Sequence, residues 1–122
     1  MESKRQKQVS RLLQRELGEL FMRNPEWVNG EFVTVTIVRV TPDLGLARVY
    51  LSFLKHENAE AAMEHLKDFE GRAKHLLSQR LKHQFRKLPE LEYYIDDTQQ
   101  EVERIEKILS KLDIPDRDEE EE

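Results

Sequence analysis

The chain has 122 residues, 38% of them hydrophobic and 37% charged, with a formal net charge of −5 and no cysteine. This length fits one domain with one modest core, burying roughly two-thirds of the surface of its unfolded chain, and the lack of cysteine excludes disulfides, thiolate chemistry and Cys-based zinc sites. No apolar run approaches the ~18 residues of a membrane span and the start, MESKRQKQVS, has no apolar signal-type stretch, so the expected location is the cytoplasm, with no membrane partner.

From Lys4 to about Arg23, Val9, Leu12, Leu13, Leu17, Leu20 and Phe21 recur at i, i+3, i+4, which predicts an amphipathic helix. Ser3 is placed to cap it and Asn24-Pro25 to stop it. Lys4, Lys7, Arg11 and Arg15 share its polar side, with Arg5 beside them. Trp27 and Val28 are expected to pack beneath the next loop. FVTVTIVRV (32–40) is β-branched and alternates Val33, Val35 and Ile37 against Thr34 and Thr36, the signature of a strand. Thr41-Pro42-Asp43-Leu44-Gly45 reads as a turn with Gly at the φ > 0 position. LARVYLSFL (46–54) alternates again, with Ala47, Val49, Leu51 and Phe53 on one face, completing an antiparallel hairpin.

Asn58 is a fair N-cap for a run carrying Ala59, Ala62, Met63, Leu66 and Phe69, then Ala73 to Leu88. A single helix of that length would be on the order of 45 Å, longer than a domain of this size is wide, roughly 28 Å. The expected break is a kink at Glu70-Gly71, where glycine costs a helix about 1 kcal/mol. Leu88-Pro89 ends the second helix. ELEYYID (90–96) is a third strand, with Leu91, Tyr93 and Ile95 on one face. Thr98 to Glu101 forms a capping box for an appended C-terminal helix over 98–112, and the acidic tail 115–122 is too charged to pack. The single domain therefore spans 1–114. Its order, α-β-β-α-kink-α-β with a three-stranded sheet, predicts an α+β two-layer sandwich and is similar to that of the type II KH domain, a nucleic-acid-binding module.

Charge is segregated along this order. Residues 1–16 carry a net +3, 17–71 a net −4, 72–88 a net +6 with no acidic residue, and 89–122 a net −10. Basic blocks inside an acidic chain point to a polyanion partner more strongly than the overall balance points away from one. The stretch Arg72–Lys87 holds Arg72, Lys74, Arg80, Lys82, Arg86 and Lys87, with an apolar stripe of Leu76, Leu77, Leu81, Phe85 and Leu88 opposite. His75 and His83 offer donors and flat rings to RNA, or are simply solvated surface histidines.

Enzyme chemistry finds no foothold. His56, His65, His75 and His83 form no i, i+4 pair and no HExxH, so no metal site is expected. Glycines 18, 30, 45 and 71 make no GxSxG, Walker A or GxGxxG motif. Asp96-Asp97 reads as a strand end. No cofactor, catalytic residue or small-molecule substrate is expected. The GXXG loop with which KH domains clamp single strands is also missing, since Gly71 is followed by Arg72-Ala73-Lys74. Contact with structured RNA by shape and charge is the better fit.

The chain resembles the ribosome-binding factor A family over about residues 4–97. The likeness is carried by Arg5 and Val9 at the helix start, by VTIVRVTPDLGLARVYLSFL (35–54), above all Val40 to Tyr50, and by HQFRKLPELEYYIDD (83–97). In that family the KH loop is replaced by a helix–kink–helix with an Ala-x-Gly interruption; the matching positions here are Phe69-Glu70-Gly71. The resemblance implies a monomeric, non-enzymatic factor for the free small ribosomal subunit and its rRNA, acting late in rRNA maturation and 5′-end processing and most needed in the cold. On this reading the RNA-binding residues are Arg72, Lys74, His75, Arg80, Lys82, His83, Arg86 and Lys87, with Lys4, Arg5, Lys7, Arg11 and Arg15. The residues also permit a generic KH-like regulator of mRNA, or an adaptor whose basic helix meets an acidic protein.

Overall fold

The computed structural model describes residues 2–98 and 108–109. Helix α1 spans Lys4–Arg23 and opens with a capping box: Gln6 N–H donates to Ser3 Oγ at 3.1 Å, while Ser3 N–H donates to Gln6 Oε1 at 2.8 Å. Both residues thus satisfy amides that a helix start leaves orphaned. The helix closes at Asn24, whose side-chain amide donates to Leu20 O at 2.8 Å. Strands β1 (Val33–Val40), β2 (Leu46–Phe53) and β3 (Glu90–Ile95) form one sheet in that order, β1–β2 antiparallel and β2–β3 parallel. A parallel neighbour demands a long crossover, here made by α2 (Ala59–Leu66) and α3 (Glu70–Leu81). The inward faces of sheet and helices meet in one core that includes Leu13, Leu17, Trp27, Val49, Leu51, Leu66 and Leu77, each no more than 1% exposed. This is the two-layer α+β sandwich expected from the element order.

Four local expectations need correction. Strict alternation along β1 predicts Val33, Val35 and Ile37 on the core side. The register instead slips between Val35 and Ile37, leaving Thr36 as an extra residue, so that Val35, Val38 and Val40 are buried and Ile37 turns outward. A bulge changes the parity of everything beyond it. It is held from both sides: Thr36 Oγ1 donates to Asp96 Oδ2 at 2.6 Å, and Gln14 Nε2 donates to Val35 O and Thr36 O at 3.3 and 3.1 Å.

In the hairpin turn, Leu44 has φ of 61° and Gly45 does not have positive φ. Glycine there is favoured by closeness rather than by backbone freedom. Asp43 Oδ1 accepts from Gly45 N–H at 3.0 Å and from Thr41 Oγ1 at 2.8 Å, and a Cβ on residue 45 would come within 3.3 Å of that carboxylate.

The helix interruption falls on Lys67–Phe69, a 3₁₀ turn, and not on Gly71, which lies in the first turn of α3. Phe69 (φ −116°, ψ 2°) is where the helical path breaks. Its ring lies against His65 at 5.4 Å and packs on the core. Tightening to three residues per turn keeps Leu66 and Phe69 inward while the axis redirects. No special backbone freedom is used at Gly71, and no atom of the neighbouring packing lies within 4 Å of a Cβ placed there. Gly71→Ala is therefore expected to stabilise the protein by about 0.5–1 kcal/mol, seen as a higher urea midpoint with an unchanged slope; a destabilised variant would return the kink to Gly71.

Finally, α3 stops at Leu81, so the basic stretch Arg72–Lys87 is not one helix. Gln84 and Phe85 amides donate to Leu81 O at 2.9 and 3.2 Å, closing the last turn. The chain then bends at Arg86 and Lys87, and Glu90 N–H donates to Gly45 O at 2.9 Å to start β3 beside Leu46. Leu88 stays buried and Phe85 packs on the core from this loop. Their spacing looks helical because a loop crossing the same core edge buries the same residues. Most of the helix expected over 98–112, and the tail 115–122, lie outside the described residues.

Candidate nucleic-acid interface

The tertiary fold divides the predicted cations into three groups. Arg5, from the first turn of α1, meets Arg86 and Lys87 from the α3–β3 loop around one surface cavity of about 440 Å³. Gln84 and Phe85 also line it, and continue with Arg5 into an adjoining cavity of about 270 Å³ along Gln8 and Leu12. The helix start and the loop are far apart in sequence. They meet because α1 packs beside α3 and the loop wraps past its N-terminal end. Acidic groups on the same rim are already engaged. Thr41 Oγ1 and the Gly45 amide hold the Asp43 carboxyl below its ordinary range, and the Lys74 ammonium does the same to Glu90 through a 2.8 Å contact. The guanidinium groups of Arg5 and Arg86 and the Lys87 ammonium have no carboxylate within salt-bridge distance among the described residues.

A second group is occupied within the molecule. Arg80, only a quarter exposed, donates to Glu16 Oε1 at 2.7 Å and Glu19 Oε1 at 2.9 Å, joining α3 to α1. The hydrogen bond to Arg80 holds the Glu19 carboxyl low, and the same bond raises Arg80. Lys74 is held by Glu90, and Arg15 by its neighbour Glu16 at 3.3 Å. These cations would give up a carboxylate to take a phosphate. Arg80→Ala is expected to lower stability by about 1 kcal/mol, a figure kept small because the cluster is partly solvated. It should weaken RNA binding less than Arg86→Ala does; urea melts and anisotropy on the two variants separate the roles.

The third group, Lys4, Lys7, Arg11, Arg72, His75, Lys82 and His83, is exposed and lies outside that cavity's lining. Arg72 and His75 project from α3, and Lys82 and His83 from the turn that ends it. Arg11 and Arg15 face elsewhere, lining a groove against Phe32 to Val35 at the free edge of β1. The cations of α1 are therefore not all in one patch with those of α3, although Arg15 and Arg80 share Glu16. Sequence reasoning missed Gln84 as part of the cleft; a neutral residue in a basic loop gives no signal until Arg5 is brought against it. Among the described residues no group of three or more His, Asp or Glu side chains is placed to hold a metal, and no helix is long and apolar enough to cross a membrane.

The arrangement presents unpaired cations from two distant segments over a shallow cleft, with no buried nucleophile or acid–base pair in it. Such a surface is suited to phosphates.

Comparison with known proteins gives the same direction. A family model described as ribosome-binding factor A matches residues 5–109. The ribosome-binding factor A of Chlorobaculum tepidum is 46% identical over 114 residues, 92% of this chain and 92% of that protein. That of Cytophaga hutchinsonii is 34% identical over 121 residues, 98% of this chain and 91% of the other. The crystal structure of ribosome-binding factor A from Thermus thermophilus superposes with a TM-score of 0.59 at 27% identity, covering 74% of this chain and 94% of that one. A homology model of the Thermus thermophilus factor, fitted into a cryo-EM map of its 30S complex, gives a TM-score of 0.58 at 29% identity, with 71% and 90% covered. With the motif-bearing hairpin, the crossover helices and the parallel third strand all in place, the chain belongs to the ribosome-binding factor A family.

Proposed function

We propose that this protein is a small-subunit assembly factor: a non-enzymatic, monomeric cytoplasmic protein that docks on the free small ribosomal subunit and assists late maturation of its rRNA. Its work includes 5′-end processing and matters most in the cold. The Thermus thermophilus relative placed in a 30S complex supports the choice of partner. The observation that carries the site is the meeting of Arg5, Arg86 and Lys87 around one cleft without carboxylate partners among the described residues. Arg72 and Lys82, with Lys4 and Lys7 further out, extend the contact to neighbouring phosphates, while Arg11 lies in the separate groove beside β1. His75 and His83 add donors at its margin. Binding of this kind is electrostatic in affinity and set by RNA shape in specificity. Release follows when maturation removes the local rRNA fold that the protein fits.

Sedimentation through a sucrose gradient tests the reading. The protein should travel with free small subunits and not with large subunits or assembled ribosomes. Cells depleted of it should accumulate small-subunit rRNA with an unprocessed 5′ end, more at low temperature than at high. Equal association with bulk mRNA and no enrichment on small subunits would instead support a general KH-like regulator.

A further inference from the structure

The sheet has a second face, turned away from the helices, and its side chains are ordered in rows. Across the strands Ile37, Tyr50 and Tyr94 stand in register, and beside them Arg39, Arg48 and Glu92. The rings of Tyr50 and Tyr94 stack at 5.4 Å with 26° between their planes, and Tyr94 is 39% exposed. Ile37 joins this row only because the Thr36 bulge turns it outward.

The neighbouring row contains a conflict. Arg39 and Arg48 are directly opposite each other, a like-charged pairing that destabilises a sheet. The lone carboxylate in that row, Glu92, is shared: Tyr94 Oη donates to it at 2.6 Å and Arg48 approaches it at 3.9 Å. Arg39 has no carboxylate partner among the described residues. Locally unfavourable choices of this kind are expected where a partner relieves them, and the partner that relieves two adjacent arginines is an anion. Beside Tyr50 and Arg39 the surface opens into a cavity of about 450 Å³, within the size range of small-ligand sites. Of its two acids, Asp96 is engaged by Thr36 and by the Thr98 amide, which leaves Asp97 exposed as an acceptor for a base amino group.

We propose that this open sheet face is a second rRNA contact, in which Tyr50 and Tyr94 stack an unpaired nucleotide and Arg39 and Arg48 hold its flanking phosphates. The inference rests on the small-subunit reading above. It adds single-strand recognition to a protein whose helical side meets structured RNA through charge. Aromatic side chains and arginine planes are the features by which splayed bases are held. One surface is built from α1, α3 and the α3–β3 loop around the hairpin turn and the other from the outward side chains of the sheet, so the protein would bridge a folded rRNA element and an unpaired segment.

The test uses the full chain and two double variants, Y50L/Y94L and Y50F/Y94F, on intact small subunits, on protein-free small-subunit rRNA and on a labelled unstructured RNA 12-mer. The leucine variant should lose about tenfold in affinity on all three, while the phenylalanine variant, which keeps the rings, stays near wild type. Ultraviolet cross-linking of the wild-type protein should place nucleotides on peptides containing Tyr50 or Tyr94. This readout holds even if the leucine variant fails to fold. Unchanged binding by a folded leucine variant, or no cross-link to β2 or β3, overturns the platform while leaving small-subunit binding intact. A loss on intact subunits with none on protein-free rRNA and the 12-mer would also overturn it, in favour of a protein partner. Equal losses in both variants would overturn stacking in favour of the hydroxyls. Failure of the wild type to bind small subunits while it still binds the 12-mer through Tyr50 and Tyr94 would sink the subunit assignment and leave the platform standing.

Discussion

Reversing Arg72, Lys82 and Arg86 to glutamate is expected to reduce affinity for the free small subunit by roughly 10³-fold, at about 1.5 kcal/mol or more for each charge-assisted hydrogen bond removed, with the fold intact. The three were selected by their neighbours. Each is exposed and lacks a carboxylate partner among the described residues, so removing its charge breaks no internal pair. Arg80 and Lys74 sit in the same basic stretch but are tied to Glu16, Glu19 and Glu90; reversing them would confuse binding with stability. A second readout distinguishes phosphate binding from general charge. The slope of log affinity against log salt should flatten by about 0.7–0.9 for every phosphate no longer neutralised, hence by about two to three units in the triple variant. Retention of wild-type binding and slope would remove the α3 surface and its following loop from the interface.

Trp27→Ala is the most damaging single truncation expected, with a loss of about 3–5 kcal/mol from a total that is about 5–15 kcal/mol for domains of this size. Trp27 is 1% exposed in the 3₁₀ turn Pro25–Val28 between α1 and β1. Its ring stands edge-on to Phe21 at 5.5 Å, and Phe21 in turn meets Tyr93 of β3 edge-on at 6.0 Å. Through Phe21 the Trp27 ring thereby links the loop to α1 and to the last strand. Trp27 is the only tryptophan, so unfolding is followed by far-ultraviolet circular dichroism and not by fluorescence. The melting temperature should fall by on the order of 15 °C or more. A loss below about 1 kcal/mol would mean that the loop end of the core collapses around the gap.

The proposed RNA-binding site is the part in which sequence and structure divide most clearly. All six cations of Arg72–Lys87 are visible in the sequence, but their availability is not. Glu16 and Glu19 lie on a different helix from Arg80, and nothing local announces that they will claim it. Arg5 looks like one more charge at a helix start until the loop carrying Arg86 arrives beside it. The open sheet face shows the same limit. Alternation along β2 already turns Arg48 and Tyr50 outward together, yet Ile37 reaches their face only through the bulge at Thr36.

What the sequence determined by itself is periodic: the apolar 3.6 repeat of α1, the twofold repeat of β2 and β3, the Ser3 cap, and the length argument that forbade one long helix. These depend on residues within a turn or two of each other, whose geometry is nearly independent of the rest of the chain. Tertiary structure alone decided where repeats stop or slip. The bulge at Thr36 is pinned by Gln14 and Asp96, the break at Lys67–Phe69 accompanies the packing of Phe69, and α3 ends at Leu81 so that β3 can begin against Gly45. In each case a local preference worth about 1 kcal/mol or less yields to hydrogen bonds and burial supplied by residues distant in sequence.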